Sequence, residues 1–190
     1  MSKIPPASIY IRPMEESDIQ ALLRWNKNTS ESFLHQWSGF SAYQYPLTAE
    51  QIRARLALPS CRRIAAVFQG ETVAAAEIDG TEASEPLEPS QEAAISSASS
   101  SAHVCRLIVS RAYNSMGIGE VFLTEISRRC FSETSLSRLT LRVFCFNAGA
   151  IRCYEKCGFL VKEYHPGHAA SWPCYTMELT KERFLQLFTE

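Results

Sequence analysis

Long apolar runs are missing from this chain. Nowhere in its 190 residues does an uninterrupted hydrophobic stretch approach the roughly 20 positions that a membrane-crossing helix needs. The opening Met1-Ser2-Lys3-Ile4-Pro5-Pro6 also lacks the apolar core of a secretory signal. These absences predict a cytoplasmic protein with no membrane partner. Excess charge of one sign is missing too: the formal net charge is −1, so nothing overall points to nucleic acid. Cysteine pairing is not patterned. Cys61, Cys105, Cys130, Cys145, Cys153, Cys157 and Cys174 are odd in number and contain no C-x-x-C spacing, which predicts free thiols in a reducing compartment. Cys153 and Cys157 stand four apart, on one face if helical, but the further ligands of a metal centre do not cluster there, so no metal is expected. Lys and Arg are absent between Ile64 and Cys105, where Glu71, Glu77, Asp79, Glu82, Glu85, Glu88 and Glu92 all fall. That strip reads as a solvated loop or as an attractor for a cationic partner.

What is present suits one domain spanning residues 1–190, with an ordinary 46% apolar share. Ser8 to Arg12 alternates as a strand, and Glu15 to Trp25 carries Ile19, Leu22 and Leu23 at helical spacing. An aromatic segment follows, with Phe33, Trp37, Phe40, Tyr43 and Tyr45. Thr48-Ala49-Glu50-Gln51 is a capping box that predicts a helix to about Ala57. The apolar runs 63–68 and 72–78 flank Gln69-Gly70-Glu71, a hairpin signature. Residues 80–102 are rich in Ser, Ala and Glu and read as a long flexible loop inside the domain. Strands are predicted over 103–110, 138–146, 159–164 and 173–179. Helices are predicted over 117–131, from the Asn147 cap to Lys156, and from Thr180 onward. Arg128 and Arg129 then fall in the last turn of the first of these, where cations suit the helix dipole. His165 and His168 are placed in a solvent-facing loop. The order is mixed α/β with one strand–helix–strand crossover.

Chemistry concentrates at Leu107-Ile108-Val109-Ser110-Arg111-Ala112-Tyr113-Asn114-Ser115-Met116-Gly117-Ile118-Gly119-Glu120. An apolar strand runs into a Gly-containing turn and at once into an amphipathic helix. The first amides of a helix lack internal partners and carry the positive end of its dipole, so such a turn is an anion site. Gly117 and Gly119 are expected to let phosphate oxygens approach the backbone. No Gly-Lys-Ser/Thr follows, so this is not a Walker loop. The third glycine of a dinucleotide fingerprint is also missing. By itself Gly-x-Gly is a weak signal, and a structural turn is the better reading of it.

A second segment, Asn147-Ala148-Gly149-Ala150-Ile151-Arg152-Cys153-Tyr154-Glu155-Lys156-Cys157-Gly158-Phe159, decides between them. Together the two segments resemble the GNAT superfamily of N-acetyltransferases, whose pattern N-x-x-A-x-x-x-Y-x-x-x-G-F follows a Q/R-x-x-G-x-G/A loop. Asn147, Ala150, Tyr154, Gly158 and Phe159 match the former, and Gly117 and Gly119 the latter. The opening Ile9-Tyr10-Ile11-Arg12-Pro13, followed by Asp18, is similar as well, so the likeness covers nearly the whole chain. Asn114 departs from the family's Gln or Arg, and Ser115 and Met116 from its small or basic residues. The grip on pyrophosphate thereby passes to backbone amides, with Arg111 as the nearby cation.

The resemblance implies an α/β fold with a mixed central sheet of about six to seven strands flanked by helices. Two parallel strands, 103–110 and 138–146, splay apart to hold acetyl-CoA as co-substrate. It implies that pantetheine pairs with the backbone of Leu107, Ile108 and Val109. Pyrophosphate would rest on the amides of Asn114, Ser115, Met116, Gly117, Ile118, Gly119 and Glu120, and Asn147 and Ala150 would line the cofactor arm. Tyr154 is then the donor of a proton to the departing thiolate. His103 lies eleven positions before Asn114, where some relatives carry a catalytic glutamate, and is the candidate base. Glu77 and ordered water are its rivals. The acceptor is a primary amine, on a small molecule or a protein N-terminus. The front half bears a faint resemblance to the ribosomal-protein N-terminal acetyltransferase branch. A non-catalytic acetyl-CoA-binding regulatory module is the alternative function, and both monomer and homodimer stay open.

Overall fold

Seven strands of the computed structural model, which describes residues 4–58, 61–80, 101–167 and 172–188, form one sheet. They are β1 (Ile9–Pro13), β2 (Cys61–Phe68), β3 (Glu71–Asp79), β4 (Ser101–Val109), β5 (Arg138–Phe144), β6 (Leu160–His165) and β7 (Cys174–Thr180). Their spatial order is β1-β2-β3-β4-β5-β7-β6. Every neighbouring pair is antiparallel except β4 and β5. Those two are joined by the helix α4 (Ile118–Glu133), the crossover that a parallel pair requires. The expected mixed sheet flanked by helices is thus the fold observed.

Alternation along the strands divides the core in two. On one face, Leu139, Leu141 and Val143 of β5 pack with Ile118, Phe122, Leu123 and Ile126 of α4, with Tyr154 of α5 (Ala148–Lys156) and with Phe184 of α6 (Lys181–Phe188). On the other face, Ala75 and Ile108 meet three short helices. These are α1 (Ile19–Asn26), α2 (Glu31–Ser38) and α3 (Ala49–Leu56), which contribute Ile19, Leu22, Leu34 and Ile52. Asp18, fully buried, accepts from Arg12 at 2.7 and 3.0 Å and from Thr72 at 2.5 Å, and so ties β1 and the start of α1 to β3.

Local signals translate directly. Gln69 (φ 51°) and Gly70 (φ 82°) make the two-residue turn of the β2–β3 hairpin, with both central residues left-handed as the strand twist demands. Thr48 accepts from the amide of Gln51 at 3.3 Å and starts α3. All seven cysteines are free. Several expectations need correction. The aromatic segment contains α2, started by Ser30, whose hydroxyl accepts from the amide of Phe33 at 3.2 Å. β5 ends at Phe144 because the chain turns there, with Asn147 N bonded to Phe144 O at 2.9 Å. α4 continues to Glu133, so Arg128 and Arg129 do not occupy its last turn and instead pair with Glu125 at 2.7 and 2.9 Å. Ser101 and Ala102 belong to β4 and not to the predicted loop, and residues 81–100 of that loop lie outside the described residues. His165 closes β6, with Nε2 2.7 Å from the Thr176 hydroxyl, while His168 lies outside the described residues.

Candidate active site

The parallel pair comes apart midway. β4 and β5 are in register only over four residue pairs, from Ser101↔Arg138 to Val104↔Leu141. Beyond them β4 runs on to Val109 and β5 to Phe144. Leu107, Ile108 and Val109 therefore lie past the last residue that pairs with β5. A wedge opens toward the carboxyl ends of both strands, and a sheet edge inside the wedge can hydrogen-bond an extended ligand.

A residue that sequence reasoning did not single out shapes this edge. Arg106 has φ 52°, and three residues of β4 (Cys105 to Leu107) span the stretch that advances two on β3 (Ala75↔Ile108, Glu77↔Cys105). This is a β-bulge, and it swings the Arg106 guanidinium onto Glu77 and Asp79, 2.7 and 3.0 Å away. An arginine interrupting the alternation of Ala102, Val104 and Ile108, opposite an acid on the preceding strand, was the available signal.

Glu77 is buried on β3 and surrounded. Arg55 donates to both carboxylate oxygens at 3.2 and 2.8 Å, Tyr43 lies at 3.4 Å, Cys61 at 3.3 Å and Arg63 at 3.9 Å. Arg106 Nε approaches Oε2 at 2.7 Å but off the line of a hydrogen bond, so that contact is an ion pair only. Burial opposes ionisation, but the guanidinium groups of Arg55 and Arg106 outweigh it and hold the Glu77 carboxyl below its ordinary range. A carboxylate so committed has little basicity, and its evident task is to fix the bulge.

His103 sits at the closed end of the wedge, half-buried, with Nδ1 3.0 Å from Thr140 Oγ1 across the parallel pair. Thr140 donates to the carbonyl of Ala102 at 3.4 Å. It therefore accepts from Nδ1–H, which leaves the lone pair on Nε2. Burial first, then Arg142, pushes the imidazole below its ordinary 6.5, against the opposing pull of Asp79.

Tyr154 lies on α5 beneath the sheet, buried, 6.5 Å between ring centroids from Phe159. Burial, and secondarily Cys153 and Cys157, raise the phenol above its ordinary value, so it keeps its proton at neutral pH. Asn147 caps α5 by accepting from the amide of Ala150 at 3.2 Å.

The turn before α4 has the form of an anion site. Ser115 (φ 63°) and Gly117 (φ 84°) are left-handed, and Ile118 opens the helix. The amides of Ile118 and Gly119 fall in the first turn, where no helical acceptor exists. The two glycines have different reasons. Gly117 supplies the left-handed cap. At Gly119 a Cβ would lie 3.3 Å from Cys153 Sγ and 3.6 Å from Val109 Cγ2, so its bareness lets α4 close on α5 and β4. Packing thus gives Gly119 a reason of its own beside the expected approach of phosphate. Asn114 and Ser115 are exposed, and Met116 is partly covered.

A further set of side chains meets at the mouth of the wedge. Phe40 after α2, Phe144 and Phe146 at the end of β5 and Trp172 before β7 have ring centroids 5.0–5.9 Å apart, with His35 of α2 against Phe40 at 4.8 Å. A cavity of about 450 Å³ lies elsewhere, between α1, α2 and Tyr45–Leu47. None of its lining residues belongs to the wedge.

Residues 21–159 match the model of the acetyltransferase (GNAT) family. No curated protein matches the chain. Among solved structures, spermidine N-acetyltransferase from Vibrio cholerae in complex with CoA and spermine superposes with a TM-score of 0.70 at 14% identity, covering 94% of this chain and 99% of that one. Aminoglycoside acetyltransferase AAC(6')-Ib with ribostamycin and coenzyme A superposes with a TM-score of 0.71 at 20% identity, covering 96% and 99%. At such identities the likeness is one of fold. No described helix is long and apolar enough to cross a membrane.

Proposed function

We propose, because this chain belongs to the GNAT acetyltransferase family, that its wedge receives acetyl-CoA and that the groups around it serve acetyl transfer to a primary amine. The observation that carries the reading is the free edge of β4 beyond Val104, which runs straight into the anion-type turn before α4. Leu107, Ile108 and Val109 offer backbone groups to the pantetheine arm. Ser115, Gly117, Ile118 and Gly119 offer amides to the pyrophosphate, whereas those of Asn114 and Met116 are bonded within the turn to Arg111 O at 3.2 Å and Tyr113 O at 3.3 Å, and Asn147 and Ala150 flank the arm from α5. The acceptor amine must lose a proton and the thiolate must gain one. Tyr154, held protonated by burial, is the donor. His103, with its lone pair on Nε2, is the acceptor of the amine's proton, directly or through water. The free thiols suit a cytoplasmic setting.

Acetyl-CoA at a hundred times its Kd is expected to stabilise the fold by about 2.7 kcal/mol, which is roughly 5–10 °C in Tm for a chain of this size. Gly117→Glu should abolish that increment, since it sets a carboxylate at the turn. Because φ at Gly117 is 84°, any side chain there strains the backbone. Gly117→Asn, which tolerates the left-handed region, is therefore the control that keeps the increment. An unchanged increment in a folded Gly117→Glu chain places the pyrophosphate elsewhere. Thiol release from acetyl-CoA with a panel of amines then tests turnover. Binding without release on any amine would favour a regulatory acetyl-CoA-binding module.

His103 carries its own test. Its depressed pKa predicts that kcat/KM rises through an apparent pKa below 6.5 and that His103→Ala removes this limb, leaving the slope set by ionisation of the free amine. A variant profile that overlays the parent's assigns proton removal to ordered water.

A further inference from the structure

The aromatic corner at the mouth of the wedge has no part in holding acetyl-CoA as described above. On β5, Leu139, Leu141 and Val143 point into the core beneath α4 and α5. Thr140, Arg142 and Phe144 alternate to the opposite face, the one roofed by α1, α2 and α3. The turn before α4 and the Asn147 cap of α5 stand at the open end on the first side. A molecule laid along β4 and reaching that turn thus leaves the other side of the wedge for the second reactant. Three separate parts of the chain bring their rings together there: α2 and its exit, the end of β5, and the approach to β7.

These rings are not sealed into the core. Phe146 is 56% exposed and Phe40 38%. Phe144 and Phe146 are stacked, with ring planes only 7° apart, and Trp172 meets both nearly edge-on, at 78° and 75°. Such an L-shaped wall presents a π face and a ring edge to anything that enters. Exposed rings gathered from distant parts of the chain mark a recognition surface. Charge narrows the occupant. On this face of the sheet Glu77 and Asp79 are held by Arg106 and Glu178 is paired with Lys162 at 3.2 Å and Arg138 at 3.7 Å. Arg142 projects from the same face of β5 and is exposed. Among the described strand residues this face offers ring surface and cations, and its carboxylates are in ion pairs except Glu163, which faces His165 at 3.6 Å from the outer strand β6. A polycation with several ammonium groups finds one such carboxylate on these strands, not an array of them. A molecule with one amine and a large flat apolar group finds a complementary surface.

We propose that Phe40, Phe144, Phe146 and Trp172 form the acceptor pocket, and that the acceptor is a monoamine carrying an aromatic group a few bonds from its nitrogen. This rests on the acetyl-transfer reading and deepens it. The chemistry is shared by a free arylalkylamine and by a peptide that begins with an aromatic residue, and the experiment separates the two sources.

Thiol release from acetyl-CoA is measured with phenethylamine, with a short peptide beginning in Phe, with butylamine, with spermidine and with kanamycin. kcat/KM is expected to be highest for one of the two aromatic amines. A preference for phenethylamine identifies a small-molecule source, and a preference for the peptide identifies a chain terminus. Trp172→Leu should lower kcat/KM for the preferred amine by roughly 10- to 100-fold and lower it much less for butylamine. In parallel, phenethylamine should quench the tryptophan fluorescence of the acetyl-CoA-saturated protein, and that quench should vanish in Trp172→Leu. Spermidine or kanamycin turning over as well as the aromatic amines would overturn the pocket and leave acetyl transfer standing. Quenching without turnover on any amine would keep the pocket and overturn acetyl transfer. A panel with neither quenching nor aromatic preference overturns the proposal.

Discussion

Tyr154→Phe is expected to lower kcat by about 10²–10⁴, the usual effect of removing an acid or base from a proton-transfer step, while leaving the acetyl-CoA-induced rise in Tm nearly intact. The hydroxyl is the only group lost, and the ring keeps its place in the core beside Phe159. The direction of the shift at Tyr154 matters. Burial raises its pKa, so at neutral pH the phenol holds the proton that a departing thiolate needs. An ionised phenolate there would have none to give. Lost folding stability could mimic lost chemistry, so thermal unfolding of the variant is measured alongside steady-state rates. Turnover equal to the parent's would show that the thiolate leaves unaided or takes its proton from another donor.

Glu77→Gln is expected to destabilise the fold by about 3–5 kcal/mol, because removing one side of a buried ion network strands the other. Arg63, its side chain 6% exposed, already has Nε and Nη2 without hydrogen-bond partners, and Arg106 Nε shares that condition. Neutralising Glu77 leaves Arg106 with Asp79 and takes from Arg63 the carboxylate it faces at 3.9 Å. At roughly 2–4 °C per kcal/mol for a chain of this length, the fall in Tm should be 10 °C or so, and easy to read. Acid should narrow the gap between parent and variant. The folded-state pKa of Glu77 lies below its ordinary value of 4.5. Its contribution is therefore complete above about 4.5 and fades as pH falls from there through the folded-state value. A variant within about 1 kcal/mol of the parent at pH 7 would mean that water compensates the arginines.

What could be read from the sequence was whatever a short stretch of chain decides for itself. The Gln69-Gly70 hairpin, the Thr48 and Asn147 caps and the strand–turn–helix at Leu107 to Glu120 each depend on neighbours a few residues away. The Ser30 cap of α2 is equally local, but the aromatic residues that follow it obscured the helical spacing of Leu34 and Ser38. Other features are decided at a distance. The bulge at Arg106 sets its guanidinium on Glu77 and Asp79 of another strand, and the break Arg106 makes in the alternation of Ala102, Val104 and Ile108 marks the place without naming those partners. The aromatic corner is assembled from segments more than a hundred positions apart, Phe40 and Trp172 among them. Gly119 was legible as a position of the family pattern, but its packing reason, the closeness of Cys153, needed α4 and α5 side by side.

A sheet whose two halves meet over four rungs is a seam as well as a scaffold. β1 through β4 form one plate and β5 through β7 the other, each stitched internally along nearly full strands, while between them only Ser101–Val104 and Arg138–Leu141 are laced. The side-chain bridge from His103 to Thr140 crosses that lacing one rung from where it stops. His103 is thus a rivet at the crotch of the wedge as well as a base candidate, and cutting it would let the plates spread even if no proton ever passed through it. Loss of rate in a His103 variant is for that reason ambiguous alone, whereas Thr140→Val removes the rivet and keeps the imidazole. The gape of the wedge, and with it the fit of everything inserted between the plates, is set by those few rungs.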